Sequence, residues 1–184
     1  VAAAQASGIS VWELATNEPV GRTAEPEQST ALAFSADDRR LAIGTGAGTI
    51  RIWTPSEDRL AALAEAGGRV TSVAFSPQGD RLAAGFGNGT LEIWSVRDGR
   101  RLSQRLEHRR ASPVSSIAFS RGGRQLVTAG ADTTVRVWNA ANGRESYSLR
   151  GHSTSVSDAA FSPNGQWIVS AGRVTRPPRL KSRN

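Results

Sequence analysis

The 184-residue sequence contains no cysteine and no methionine, and it has only two histidines, His108 and His152. Without cysteine the chain can form neither disulfide bonds nor thiolate metal sites. Two well-separated histidines do not make a transition-metal site, so we expect no metal and no other cofactor. No apolar run approaches the roughly 20 residues of a membrane-spanning helix, so we expect no membrane contact. A cytoplasmic location is favoured, although a missing N-terminus would hide a signal sequence.

The sequence has little net charge outside its last residues. Lys and Arg number 23 against 16 acids, which gives +7. Residues 173–184 carry five of the basic side chains and no acid, and Pro177-Pro178 bars a strand there, so we expect a basic, disordered tail. A nucleic-acid binder shows its basic charge as a patch on the folded surface. The excess charge therefore does not by itself indicate nucleic-acid binding.

Two aromatic markers recur in step along the chain. The tryptophans are 41, 41 and 44 residues apart, and the phenylalanines that precede them follow at 41, 44 and 42 residues. A fixed period of this size is the signature of a repeat architecture. The markers are Trp12, Trp53, Trp94 and Trp138, with Phe34, Phe75, Phe119 and Phe161.

Each repeat has the pattern of short antiparallel strands. Segments such as "VTSVAFS" and "TLEIW" alternate apolar with polar residues, while "SPQGD" and "RDGR" carry turn residues. Four such strands per period describe one blade of a β-propeller. We therefore predict an all-β fold of four-stranded antiparallel blades, with three complete blades and a partial blade at each end. No helix is expected between Thr30 and Leu149.

The repeat phase places the boundaries between blades. Counting strands favours an open arc cut from a longer array, whose exposed strand edges invite self-association. The predicted units are a partial blade at 1–28, blades at 29–66, 67–107 and 108–150, a partial blade at 151–172, and the tail at 173–184.

The glycine-rich stretch "GTGAGTIRIW" at 44–53 resembles a phosphate-binding loop only locally. It aligns with 85–94 and 129–138, where it again joins strand to strand, and the third copy has replaced two of its glycines. A dinucleotide loop must lead into a helix N-terminus that holds the phosphate. We therefore interpret Gly44, Gly46 and Gly48 as turn residues.

At these repeats the chain resembles the WD-repeat β-propeller family, in a bacterial-type array, over roughly residues 1–172. The matched pattern is Gly-His, Val-x-x-Val-Ala-Phe-Ser-Pro-x-Gly, an Asp-bearing turn and a strand closing on Trp. The resemblance implies a hydrogen-bond network that ties each blade together. It assigns His108, Thr128, Asp132 and Trp138 to the network of one blade, and His152 and Ser170 to that of the next. The blades closing on Trp53 and Trp94 have Ala47 and Asn88 in place of Asp and lack the His.

The resemblance also implies a non-catalytic scaffold that binds a protein partner through its loops. The favoured end holds the glycine turns and the loops that enter each first strand. Phe86 has an open alternative, because it could equally pack against the next blade. The candidate partner-binding residues are Thr45, Phe86 and Asn88 on turns, with Arg69, Arg109 and Arg110 on entry loops.

Two other functions stay open, and catalysis is not expected. Nucleic acid is not expected, but the arginine run from Arg97 to Arg110 leaves binding of nucleic acid or of an acidic partner open. By family analogy, the chain could be the sensor half of a kinase or NTPase protein. The sequence contains the residue types of a catalytic triad in Ser155, His152 and Asp158, but the network gives His152 a structural role. No constellation of residues supports catalysis.

Overall fold

The computed structural model describes residues 2–5, 8–23, 28–103, 106–108 and 111–172. These residues form seventeen β-strands and one short helix in five antiparallel sheets. The predicted all-β fold of four-stranded blades is confirmed. The tail at 173–184 and the residues Arg105, Arg109 and Arg110 lie outside the described residues.

The sheets are numbered as blades 1 to 5 in chain order, and each holds consecutive strands. Blade 1 contains β1 (Ala2–Gln5), β2 (Gly8–Trp12) and β3 (Pro19–Thr23). Blade 2 contains β4 (Ser29–Phe34), β5 (Leu41–Thr45), β6 (Thr49–Thr54) and β7 (Arg59–Glu65). Blade 3 contains β8 (Val70–Phe75), β9 (Arg81–Phe86), β10 (Thr90–Ser95) and β11 (Leu106–Glu107). Blade 4 contains β12 (Val114–Phe119), β13 (Gln125–Gly130), β14 (Val135–Asn139) and β15 (Glu145–Leu149). Blade 5 contains β16 (Val156–Phe161) and β17 (Ile168–Gly172).

One connection differs from the sequence prediction. A single 3-10 turn, Pro55–Glu57, joins β6 to β7, whereas no helix was expected there. Proline fixes the φ angle that such a turn needs at its first position, and Asp58 ends the turn in the left-handed region at φ 45°. No helix among the described residues is long and apolar enough to cross a membrane.

The first strands of successive blades lie side by side and are joined by side-chain hydrogen bonds. The Thr30 hydroxyl donates to the Val70 carbonyl at 2.6 Å, and the Thr71 hydroxyl donates to the Val114 carbonyl at 2.6 Å. Ser116 donates to a carboxylate oxygen of Asp158 at 2.6 Å in the following pair. These directional bonds fix how the first strands of neighbouring blades are aligned. Apolar packing alone would allow the strands to shift along each other.

The hydrophobic core lies between blades. Trp53 of blade 2 is fully buried against Ile9 and Val11 of blade 1, and Trp94 packs in one cluster with Ile50 and Ile52 of blade 2. Alternate residues of a strand point to opposite faces, so each of blades 2, 3 and 4 contributes to two such clusters. The fold therefore depends on contacts between neighbouring repeats.

Two candidate partner-binding residues are buried, which corrects their assignment to the surface. Thr45 is fully buried, and its hydroxyl accepts a hydrogen bond from the Thr49 amide at 3.1 Å and lies 2.7 Å from the Thr49 hydroxyl. Phe86 is 1% exposed and meets Trp94 edge-on, with ring centroids 6.2 Å apart. Thr45 closes its turn and Phe86 fills the core between blades 2 and 3, so neither side chain is available to a partner.

We expect Phe86→Ala to lower the free energy of unfolding by about 3–5 kcal/mol, because it removes a buried ring from a packed core. Urea unfolding followed by tryptophan fluorescence measures the loss. Tyr147→Ala is the matched control, since that ring is 60% exposed and its removal should change stability little. Equal losses in the two variants would contradict the packing of Phe86.

Candidate functional site

One end of the blades collects the loops that the sequence marked as partner-binding. At this end, each turn between the second and third strands is hydrogen-bonded to the loop that enters the same blade. The Gly46 amide donates to Gln28 at 2.9 Å, and the Gly87 amide donates to Arg69 at 2.9 Å. The Ala131 amide likewise donates to Pro113 at 3.0 Å in blade 4. We call this the upper end.

Blade 3 presents the predicted residues Arg69 and Asn88 together at the upper end. Both are exposed, and the Gly87 bond to Arg69 fixes the turn of Asn88 beside the entry loop. The Asn88 carbonyl oxygen accepts from the Thr90 amide at 3.1 Å and from the Thr90 hydroxyl at 2.7 Å. Its amide group is thereby held in one orientation while it stays open to a partner.

The predicted arginine run is only partly described. Arg97, Arg100 and Arg101 are exposed on the turn after β10 and beyond it, at the opposite end of the blade. Arg101 forms an ion pair with Glu92 at 3.3 Å. The described part of the run therefore does not lie with Arg69 and Asn88.

Blade 4 brings the four predicted network residues together. The Trp138 indole donates to the Thr128 hydroxyl oxygen at 2.9 Å, and that hydroxyl lies 2.7 Å from Nε2 of His108. On the other side of the ring, Nδ1 lies 3.1 Å from a carboxylate oxygen of Asp132. Since a carboxylate only accepts, the proton sits on Nδ1, and Nε2 accepts from Thr128. The chain runs from Trp138 through Thr128 and His108 to Asp132.

The carboxylate of Asp132 is held by further partners. It accepts from the Thr134 hydroxyl at 2.6 Å and forms an ion pair with Arg136 at 3.2 Å. Arg136 is itself buried and pairs with Glu145 at 2.8 Å. Burial acts to raise the pKa of the Asp132 carboxyl, but hydrogen bonds from Thr134 and His108 outweigh burial and hold that pKa at about 2.

His108 is neutral in this arrangement. Burial lowers the pKa of its imidazole below the ordinary 6.5, although the Asp132 carboxylate acts to raise it. A neutral ring with both nitrogens engaged holds its neighbours in place and is poorly placed to act as a general base. The geometry thus fits a structural network.

The other blades keep less of this network. In blade 5, Nε2 of His152 lies 2.8 Å from the Ser170 hydroxyl, and the positions equivalent to Asp132 and Trp138 lie outside the described residues. In blade 2, Ile43 takes the place of Thr128, and no described residue accepts a hydrogen bond from the buried indole N–H of Trp53.

Each blade that has a network histidine also has a glycine beside its ring, Gly130 in blade 4 and Gly172 in blade 5. The sequence analysis did not identify this pairing. A Cβ at Gly130 would lie 2.6 Å from Cε1 of His108, and one at Gly172 would lie 2.9 Å from Nδ1 of His152. Blade 3 has Phe86 at this position and no histidine. His108 meets Trp138 edge-on with ring centroids 6.2 Å apart, as Phe86 meets Trp94. The phenyl ring therefore takes the place of the imidazole.

The hypothetical triad is not assembled. Ser155 donates to the Ala131 carbonyl at 3.4 Å, and the His152 ring bonds Ser170. Asp158 accepts from Ser116 of the neighbouring blade. The three side chains thus bond partners outside the group. Within the described part of the chain there is also no cluster of three His, Cys, Asp or Glu that could hold a metal ion.

Two family models match the chain. The model described as nucleolar protein 10-like, N-terminal domain, matches residues 54–176, more than half of the sequence. The model described as WD domain, G-beta repeat, matches residues 22–54. No curated protein matches.

Asp132→Ala should lower the free energy of unfolding by about 1–3 kcal/mol, because it leaves the buried Nδ1–H of His108 without an acceptor and removes one of the two carboxylates paired with Arg136. Asn88→Ala changes the equivalent residue of blade 3, which is exposed and bonds only Thr90 among the described residues. We expect a smaller loss there. Thermal unfolding of the two variants tests this difference, and losses of the same size would argue against the network.

Stability should fall as the pH drops below 6.5, the ordinary pKa of histidine. The unfolded chain then takes up a proton at residue 108 that the folded chain, with its lowered pKa, does not, so unfolding is favoured. Asp132 adds stability above its ordinary pKa of 3.8, and this is lost as the pH falls towards about 2. Urea unfolding of wild type and His108→Gln across this range measures the first effect. The free energy of unfolding should decline less steeply with falling pH in the variant than in the wild type. Parallel curves would exclude His108 as the source of the decline.

Proposed function

Because the chain belongs to the WD-repeat β-propeller family, whose domains generally mediate protein interactions, we propose that it is a non-catalytic scaffold that binds a protein partner through the upper end of blade 3. The observation that carries this proposal is the exposed pair Arg69 and Asn88, whose segments are joined by the backbone hydrogen bond from the Gly87 amide to the Arg69 carbonyl. Loops fixed on a rigid sheet are the common place for binding residues.

Comparison with the neighbouring blades supports this choice of surface. Blade 2 offers Gln28 and Ala47 at the equivalent positions, and blade 4 offers Pro113 and Asp132. The Asp132 side chain is only 4% exposed, because His108 and Arg136 draw it inward. Blade 3 lacks the histidine, so Asn88 stays outside with Arg69. This blade presents a guanidinium and an amide where the described residues of blades 2 and 4 present at most one accessible polar group at the equivalent positions.

The charges around the pair fit a protein partner better than a nucleic acid. Glu65 ends β7 and Glu107 ends β11, both at the upper end and both exposed. These carboxylates would repel a phosphate backbone, and a nucleic-acid surface needs basic charge that is not interrupted in this way. A mixed polar surface is typical of non-obligate protein interfaces.

The double variant Arg69→Ala/Asn88→Ala should lose the protein partners that the wild-type chain retains in quantitative affinity capture from cell extract. Loss of hydrogen bonds to a charged group and to an amide predicts a drop of about tenfold or more in partner recovery. Arg144→Ala removes an exposed arginine from the opposite end of blade 4 and should leave recovery unchanged. Unfolding curves establish that both variants are folded.

The proposal fails if the double variant retains the same partners as the wild type. It also fails if Arg144→Ala causes the same loss, because the binding surface would then not be the upper end. Recovery that disappears after nuclease treatment of the extract would point to nucleic acid instead.

A further inference from the structure

A cleft of about 460 Å³ lies between blades 2 and 3 at the lower end, which holds the turns between first and second strands and between third and fourth strands. One wall is the outer strand β7, and the other is the turn that follows β10, from Val96 to Gly99. Its size falls within the range of sites that hold a small ligand group.

The walls of this lower cleft are fixed by backbone contacts. The Val96 amide donates to the Asp80 carbonyl at 2.9 Å, and the Gly99 amide donates to the Ser95 carbonyl at 3.0 Å. Gly99 has a φ of +67°, and a Cβ there would lie 2.8 Å from the carbonyl oxygen of Leu63 on β7. The turn therefore lies close against β7 beside the cleft, and only glycine allows this approach.

Three arginines from three separate segments line the cleft: Arg40, Arg59 and Arg97. The Arg40 guanidinium is positioned by Phe75, whose ring centroid is 5.6 Å away, and by Asp37 at 3.8 Å. Arg59 and Arg97 are exposed, and neither forms an ion pair with an acid among the described residues.

The one acid that lines the cleft is engaged within its own turn. Asp98 accepts from the Arg100 amide at 3.2 Å, and a hydrogen bond from the Ser95 side chain, with that amide bond, lowers the pKa of its carboxyl. Asp98 therefore stays ionised and orders the turn that carries Arg97. Three arginines and one aspartate line the cleft. Arg40 also pairs with Asp37, so Arg59 and Arg97 give the cleft its net positive charge.

The cleft at the lower end between blades 3 and 4 carries a different set of charges. There Ala141 takes the place of Arg97 and Arg81 that of Arg40, while the exposed Arg124 of blade 4 also lines the cleft. Arg81 is occupied by the Ala140 carbonyl at 3.4 Å and by Asp80 at 3.7 Å. Of the two clefts, only the one between blades 2 and 3 has an exposed arginine on each wall, Arg59 and Arg97.

We propose that the lower cleft binds a phosphorylated side chain of a partner protein, an inference that rests on the scaffold function proposed above. Guanidinium groups bind phosphate oxygens through paired, charge-assisted hydrogen bonds, and converging arginines are the usual recognition mode for phosphorylated peptides. Glu57 and Asp58 directly precede Arg59 in the chain, so the surroundings disfavour a longer polyanion. β7 is the outermost strand of its sheet, which leaves an edge beside the cleft where an extended peptide can pair.

The test is an isothermal calorimetric titration of the full chain with an alanine-rich pentapeptide that carries a central phosphoserine. We expect saturable binding at one site. Arg59→Ala/Arg97→Ala should weaken it by at least about tenfold, as should replacing the phosphoserine with serine. Arg59→Lys/Arg97→Lys keeps the charge but not the paired geometry, and should recover part of the affinity. Arg69→Ala/Asn88→Ala is the matched control and should bind as the wild type does.

Several outcomes would overturn the proposal. They are the absence of binding to the wild type, equal binding by Arg59→Ala/Arg97→Ala in a folded protein, and equal binding of the serine peptide. Inorganic phosphate that binds as tightly as the phosphopeptide would identify a free anion as the ligand, and tighter binding of a short single-stranded oligonucleotide would identify a nucleic acid. Since the control variant removes the upper-end surface, the titration and the affinity capture can fail independently.

Discussion

Packing between neighbouring sheets holds this fold together. A four-stranded blade has two apolar faces and no interior of its own, so each face must be covered by the next repeat. Val127 and Ala129 of blade 4 are fully buried by Val156 and Ala159 of blade 5. The equivalent of Val127 in blade 5, Val169, is 67% exposed. The same apolar residue is thus a core residue or a surface residue according to what lies beside its sheet.

The space beside each tryptophan is filled in two physically different ways. In blade 4 a histidine ring enters it from the preceding loop, Gly130 makes room, and a polar chain continues to Asp132. In blade 3 the ring of Phe86 fills a similar place from the strand itself, and the contact is apolar. Apolar filling needs no buried hydrogen-bond partners, whereas the network must satisfy every member. The buried indole N–H of Trp53 in blade 2 shows the cost of keeping the tryptophan without the network.

Both proposed binding surfaces arise where a repeat departs from its neighbours. At the upper end, the missing histidine of blade 3 leaves Asn88 exposed beside Arg69, whereas the network of blade 4 holds Asp132 inside. At the lower end, Arg97 stands where blade 4 has Ala141, and it supplies positive charge on the wall opposite Arg59. Residues that every blade needs for packing cannot vary freely, so recognition is left to the loop positions that packing does not use.

The repeat, the strands and the blade architecture can be predicted from the amino-acid sequence, because period-2 alternation and turn chemistry are local and recur in phase. The resemblance to the WD-repeat family added the four residues that blade 4 brings together. Tertiary structure alone decided that Thr45 and Phe86 are buried, since the direction of a side chain at a strand end depends on the sheet beside it. It also decided that Arg40, Arg59 and Arg97 share one cleft. These three residues lie on different strands and turns, and only the docking of one blade on the next brings their charges together.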